Sequence, residues 1–215
     1  MIDVRMFTVG PVQENCFIVR GEDTSTAVIV DPGEEAEKLL AAIEALGIKT
    51  LEAILLTHTH FDHVGAVAPI ARATNAPVYC PELEKHVLAN IMDFVPWPGF
   101  GPFESYDADH TVAGGEVLEL AGLTFDVLFT PGHSPGHVTY GVRDEGALFS
   151  GDVLFQGSVG RVDLPGGDWP TLLKSIESLI DSFDPESTVY PGHMAITTLA
   201  HERAANPFLR ELAQR

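Results

Sequence analysis

The chain has 215 residues, 45% of them apolar and 20% charged, which is ample for one domain with a substantial core and leaves no room for a second catalytic domain. Twelve Lys and Arg against thirty-one Asp and Glu give a formal charge of −19, a field that repels phosphate backbones and anionic membrane surfaces, so neither nucleic acid nor membrane is expected as a partner. Two distant cysteines, an N-terminus without a basic-then-apolar leader, and no apolar run near the roughly 18 residues of a membrane span point to a reduced, cytoplasmic setting.

The first third reads as strands at 4–9, 16–20 and 27–30, rich in Val and Ile and separated by Gly, Pro, Asn and Asp. After the breaker Asp31-Pro32-Gly33, Leu39, Leu40, Ile43 and Leu46 fall at helical spacing, predicting an amphipathic helix over 34–46 that Gly47 ends. A short buried strand at 53–56 leads into the polar segment 57–63, followed by a helix over 64–73 that stops before Asn75-Ala76-Pro77. A strand at 78–80 and a helix over 82–90 precede 91–106, whose prolines, glycines and aromatic residues read as a long loop or lid. Strands recur at 116–120, 123–129, 138–142 and 147–150, with Ala121-Gly122 and 144–146 as hairpin turns. A helix over 168–183, a strand at 188–190 and a helix over 197–205, broken at Asn206-Pro207, complete the pattern. One domain over 1–215 is expected.

Chemistry concentrates in the turns. Thr57-His58-Thr59-His60-Phe61-Asp62-His63 places three imidazoles and a carboxylate in six positions directly after a buried strand. In an extended segment alternate residues share a side, so His58 and His60 point together, while Asp62 and His63 are carried elsewhere as the chain turns into a helix. One pair suits one metal ion and the other a second, because borderline cations accept mixed His and Asp ligands. Three further strand ends carry the same kind of group on stiff turns: Pro131-Gly132-His133, Gly151-Asp152 and Pro191-Gly192-His193. The candidate ligands are five His and two Asp, enough for two sites with one shared carboxylate. His137 opens a strand and reads as a supporting or core histidine, and His86, His110 and His201 as non-ligands.

These motifs, T-H-x-H-x-D-H, then P-G-H, G-D and G-H in that order, resemble the metallo-β-lactamase superfamily over essentially the whole chain. Within it, the segment from Gly157 to Gly167 and the tail from Thr197 through His201-Glu202-Arg203 to Asn206-Pro207-Phe208 are similar to the short bacterial glyoxalase II (hydroxyacylglutathione hydrolase) branch. The resemblance implies a four-layer αββα sandwich, with two mixed sheets flanked by helices and the site at one edge. It also implies that His58, His60 and His133 bind a first metal, that Asp62, His63 and His193 bind a second, and that Asp152 bridges them. Two divalent ions are then expected, zinc foremost, with iron or manganese accepted by the same ligands.

The expected chemistry is attack on an acyl carbon by a hydroxide shared between the ions, oriented by Asp62 as the catalytic carboxylate. A thioester suits such a site, since a thiolate with a parent pKa of about 8.5 leaves without a strong general acid. Hydrolysis of a small 2-hydroxyacyl thioester of the S-lactoylglutathione type is the leading expectation, and a persulfide dioxygenase with a single iron is the alternative. A periplasmic β-lactamase is set aside for want of an export signal, and a nuclease by the charge of −19. Arg161 and Asp163 are the candidate substrate contacts, with Arg161 offering a planar cationic fork to an anionic group. A monomer or weak homo-oligomer is expected.

Overall fold

The runs 27–30 and 53–56 are apolar at successive positions rather than alternate ones, which is what a strand buried on both faces requires. In the computed structural model, which describes residues 1–210, both are interior strands of one six-stranded sheet. Residues 211–215, the end of the expected domain, lie outside the described residues. The chain runs β1 (Ile2–Val9), β2 (Glu14–Gly21), β3 (Thr26–Val30), α1 (Ala36–Ala45), β4 (Thr50–Leu55), α2 (Phe61–Val64), α3 (Val67–Thr74), β5 (Val78–Pro81), α4 (Lys85–Leu88) and β6 (His110–Val112). It continues through β7 (Val117–Leu120), β8 (Leu123–Phe129), β9 (Val138–Val142), β10 (Ala147–Gly151), β11 (Leu154–Phe155), β12 (Ser158–Val159), α5 (Trp169–Ser182), β13 (Thr188–Pro191), β14 (Thr197–Thr198) and α6 (Leu199–Ala205).

The first sheet has the order β1-β2-β3-β4-β5-β6, antiparallel as far as β3 and parallel beyond it. The second has the order β14-β13-β10-β9-β8-β7, with β10 and β13 as its parallel pair. Side-chain alternation sorts each strand between layers. Phe17, Val19, Val28, Val30 and Leu55 face Phe125, Val127, Tyr140 and Phe149 between the sheets. Ile18, Ile29 and Ile54 point the other way, onto Leu39 and Ile43 of α1 and Val67 and Ile70 of α3. Leu148 and Val189 leave the second sheet's outer face to meet Leu172, Ile176 and Leu179 of α5 and Leu199 of α6. Three apolar layers thus separate four layers of secondary structure, the expected αββα sandwich. The two cysteines are free and buried. Among the described residues, no helix is long and apolar enough to cross a membrane.

Local differences from expectation have local causes. The helix expected over 34–46 starts at Ala36, because Glu35 sits in the left-handed region at φ 55. The helix expected over 64–73 is two, α2 and α3, parted at Gly65-Ala66, so Asp62 and His63 lie on α2 rather than in a loop. The 82–90 segment holds only a short 3-10 turn at Glu82–Glu84 and the single turn of α4. β6, β11, β12 and β14 were not legible: two to three residues are too few to show a period. The helix read as beginning at 197 begins at Leu199, where the Thr198 hydroxyl accepts from the His201 N–H as its cap.

Candidate metal centre

Five strand ends converge at one edge of the sandwich. β3 delivers Asp31, β4 the segment with His58 and His60, β8 the turn with His133, β10 Asp152 and β13 His193. The sheets are stitched together there, the Val138 N–H donating to Thr57 O at 2.8 Å and the Tyr140 hydroxyl to Leu56 O at 3.0 Å. Gly132 sits at φ 127, where a Cβ would lie 2.2 Å from the Leu172 nitrogen, so only glycine lets α5 dock against the turn before His133.

The seven expected ligands meet in two groups. His58, His60 and His133 form the first and Asp62, His63 and His193 the second, with the donor atoms of each group within 4.8 Å of one another. In the first, His60 Nδ1 lies 3.1 Å from His58 Nε2 and 2.8 Å from His133 Nε2. Asp152 stands between the groups: Oδ1 is 3.3 Å from His63 Nε2, and Oδ2 is 3.4 Å from His133 Nε2 and 3.6 Å from His193 Nε2. Asp62 Oδ2 is 3.3 Å from His193 Nε2.

The hydrogen bonds behind the rings decide which nitrogen faces inward. Asp31 accepts from the Thr57 N–H at 2.7 Å and the Thr57 hydroxyl at 2.6 Å, so that hydroxyl is left to accept from His58 Nδ1 at 3.1 Å. His63 Nδ1 donates to Asp31 at 3.1 Å, His133 Nδ1 to the Arg161 carbonyl at 2.8 Å, and His193 Nδ1 to the Gln13 carbonyl at 3.3 Å. In their neutral forms, four rings therefore turn an Nε2 lone pair toward the centre. Ligand nitrogens about 2.0–2.1 Å from a tetrahedral zinc would lie about 3.3 Å apart, close to the spacing of the first group. Among the described residues, His63 Nε2 and Asp152 Oδ1 are buried polar atoms without a hydrogen-bond partner, a costly arrangement that a cation between them would satisfy. The residues fit a metal centre.

Electrostatics distinguishes the two groups. Burial, reinforced by His63, holds His58 well below the ordinary imidazole range, and burial with His133 beside it lowers His60 to about 4. Burial works against protonated His63 and His193 too, but Asp152 and Asp62 outweigh it and both are raised. Burial disfavours the Asp152 carboxylate, yet His63 and His193 overcome it and keep Asp152 ionised.

Several residues of the centre carried no sequence signal. Asp31, read only as a turn former, orients His63 and, through Thr57, His58. Asn15 secures the His193 turn by donating to Pro191 O at 3.1 Å and Met194 O at 2.8 Å. Glu14 is wholly buried 3.7 Å from His63 Nδ1 with both oxygens unpartnered, and burial, only partly offset by His63, pushes it well above the carboxylate range. His137 supports the site as expected: its Nε2 accepts from the Asp152 N–H at 3.1 Å, and its ring stacks on His58 at 5.0 Å. His86, His110 and His201 lie outside both groups.

At the rim, Arg161 and Asp163 pair with each other, Nε to Oδ1 at 2.6 Å and Nη2 to Oδ2 at 2.7 Å, and that bond draws Asp163 down to about 2. The Arg161 guanidinium also lies 5.5 Å from the centre of the Trp97 ring. Trp97, Phe100 and Phe103 of the 91–106 segment gather around Phe61 at 6.1, 4.8 and 5.7 Å, so this loop is anchored on the residue between His60 and Asp62. The tail residues serve the fold: buried Glu202 accepts from Thr197, Gly157 and Asn206, and Asn206 donates to Ser158 O, fastening the β11–β12 hairpin to α6.

Residues 9–193 match the metallo-beta-lactamase superfamily, a span that includes all seven converging side chains. The chain belongs to that superfamily. A relative from Haemophilus influenzae, the hydroxyacylglutathione hydrolase GloC, is 34% identical over 210 residues, covering 97% of this chain and 98% of its own. Two solved structures are closer in sequence. One, described as BLEG-1 B3 metallo-beta-lactamase, superposes with a TM-score of 0.90 at 40% identity, covering 98% of this chain and 100% of the other. The second, TTHA1623 in a di-iron-bound form, superposes with a TM-score of 0.79 at 42% identity, covering 96% and 100%.

Proposed function

We propose that this chain hydrolyses 2-hydroxyacyl thioesters of the S-lactoylglutathione type, using two metal ions. The observation that carries the reading is the complete second group, Asp62, His63 and His193, set against the first across a shared Asp152. A single ion in the first group would leave this one, with its unpartnered His63 Nε2, unfilled. The similarity to GloC supports the substrate class.

His58, His60 and His133 would hold one ion, Asp62, His63 and His193 the other, and Asp152 would touch both. Bound there, two divalent ions supply Lewis acidity toward an acyl oxygen and bring the pKa of water to near 7; zinc, iron and manganese all suit the donor set. The chain's own residues do the rest. Asp62 would orient the attacking water as well as bind. Arg161 would exchange Asp163 for a distal carboxylate of the thiol, keeping the same bidentate fork. Trp97 and the aromatic cluster on Phe61 would wall the acyl group from bulk water. A cytoplasmic setting suits the buried free thiols, and the charge of −19 makes a local cation such as Arg161 necessary for an anionic substrate.

β-Lactam hydrolysis is the second reading, favoured by the 40% identity to BLEG-1. An amide nitrogen, however, needs a proton to leave, whereas a thiolate leaves without one, so the thioester asks less of a site with no obvious general acid. One experiment separates the readings: metal-replete protein assayed in parallel on S-lactoylglutathione, a β-lactam and glutathione persulfide, with elemental analysis of the same sample. Close to two transition-metal ions per chain with thioester loss dominant is the expected result. Dominant β-lactam turnover, or one iron with oxygen consumption on the persulfide, overturns it.

A further inference from the structure

A single buried carboxylate joins the two loops that carry the first metal group. Glu84 closes the 3-10 turn after β5 and is 3% exposed. Its Oε2 accepts from the Thr59 N–H at 2.8 Å and the Thr59 hydroxyl at 2.9 Å. Its Oε1 accepts from the Ser134 hydroxyl at 2.5 Å and the Gly136 N–H at 2.8 Å. Four donors fill the lone-pair positions of a carboxylate, which fixes a buried acid in place. Thr59 stands between His58 and His60, and Ser134 follows His133, so each oxygen grips one ligand loop. The second group is held by other residues: His63 by Asp31, and the His193 turn by Gln13 and Asn15.

We infer that Glu84 is a positioning residue of the first metal group: by clasping the 57–60 and 130–137 loops it sets the distance between His58, His60 and His133, and so the cation affinity of that group alone. The inference rests on the two-ion reading above. Its physical basis is the narrow tolerance of a metal centre, in which supporting residues must hold ligands to within about 0.5 Å. Asp152, which touches both groups, affects both; Glu84 meets only loops of the first.

The test isolates each group with a ligand variant. His193→Ala cripples the second group and leaves the first, and His133→Ala does the reverse. Zinc affinity is then measured by competition with a chromophoric chelator, with and without Glu84→Gln, which keeps the side chain's volume but turns an NH2 toward donors. In the His193→Ala background Glu84→Gln should weaken the remaining zinc by about tenfold or more, the effect typical of residues that support ligands. In the His133→Ala background it should change nothing. Equal weakening in both backgrounds would show a merely structural role, and no weakening in the His193→Ala background would likewise overturn the inference. If Glu84→Gln does not fold, Ser134→Ala, which removes one of the four donors, carries the same comparison with a smaller expected loss. Uptake of a single zinc by the unsubstituted protein would defeat the two-ion reading instead; if His133→Ala abolishes that zinc, Glu84→Gln must weaken it, and if His193→Ala abolishes it, Glu84→Gln must leave it unchanged, and the opposite result in either case refutes the inference.

Discussion

Asp152→Asn removes the one charge that both metal groups share while leaving the backbone in place, because the N–H of residue 152 still donates to His137 Nε2. The carboxylate oxygens lie 3.3 to 3.6 Å from the Nε2 atoms of His63, His133 and His193. At an effective dielectric near 20, two unit charges about 4 Å apart interact by about 4 kcal/mol, and a divalent ion doubles this to about 8. If water and local rearrangement return three quarters of that, about 2 kcal/mol is lost per ion, roughly a 30-fold fall in each affinity. Zinc competition titrations of the two proteins, with elemental analysis after dialysis against a chelator, read the effect directly. Both ions should weaken together, and thioester hydrolysis should fall with them. A variant that loses only one ion would show that Asp152 belongs to one group, and one that keeps both at full affinity would remove it from the centre.

The two groups should respond differently to pH. His63 and His193 are raised and His58 and His60 lowered, so a falling pH adds protons that must be expelled from the second group before it can bind, whereas His60 does not compete until about pH 4. Zinc titrations between about pH 8 and about pH 6 should show the second affinity falling by up to about tenfold per unit for each proton displaced, with the first much less affected; parallel losses at both would refute the assignment. Arg161→Ala should raise KM for a glutathione thioester by an amount equivalent to about 1–3 kcal/mol with unchanged metal content, and an equal loss on an uncharged thioester would make Arg161 structural. Gly192→Ala would place a Cβ 2.4 Å from Asp152 Oδ1 and 2.7 Å from His63 Cε1, so it should lower metal content sharply while far-ultraviolet circular dichroism persists; full metal loading would show that the turn yields instead.

Strand ends were readable because apolar runs stop abruptly at polar, Gly- and Pro-rich turns, and the seven expected ligands were readable because imidazoles and carboxylates were concentrated in those turns. The layered fold was implied by the family resemblance, and the structure agrees with it: 17–19, 53–56 and 147–149 face different cores at successive positions, as strands of sheets covered on both sides do. Short elements such as β6, β11 and β12 stayed hidden, since their pairing is dictated by partners distant in the chain rather than by a local period. The same holds for the supporting residues. Asp31, Asn15, Glu14 and Glu84 are polar residues with no spacing to distinguish them from surface groups, and nothing local reveals that Glu84 will reach loops 25 and 50 residues away. The sequence by itself determined which side chains could bind a cation; the packing of two sheets at one edge decided which nitrogens face inward, which carboxylate lies between the groups and which buried acids hold them, because those depend on distances that exist only once the chain has closed on itself.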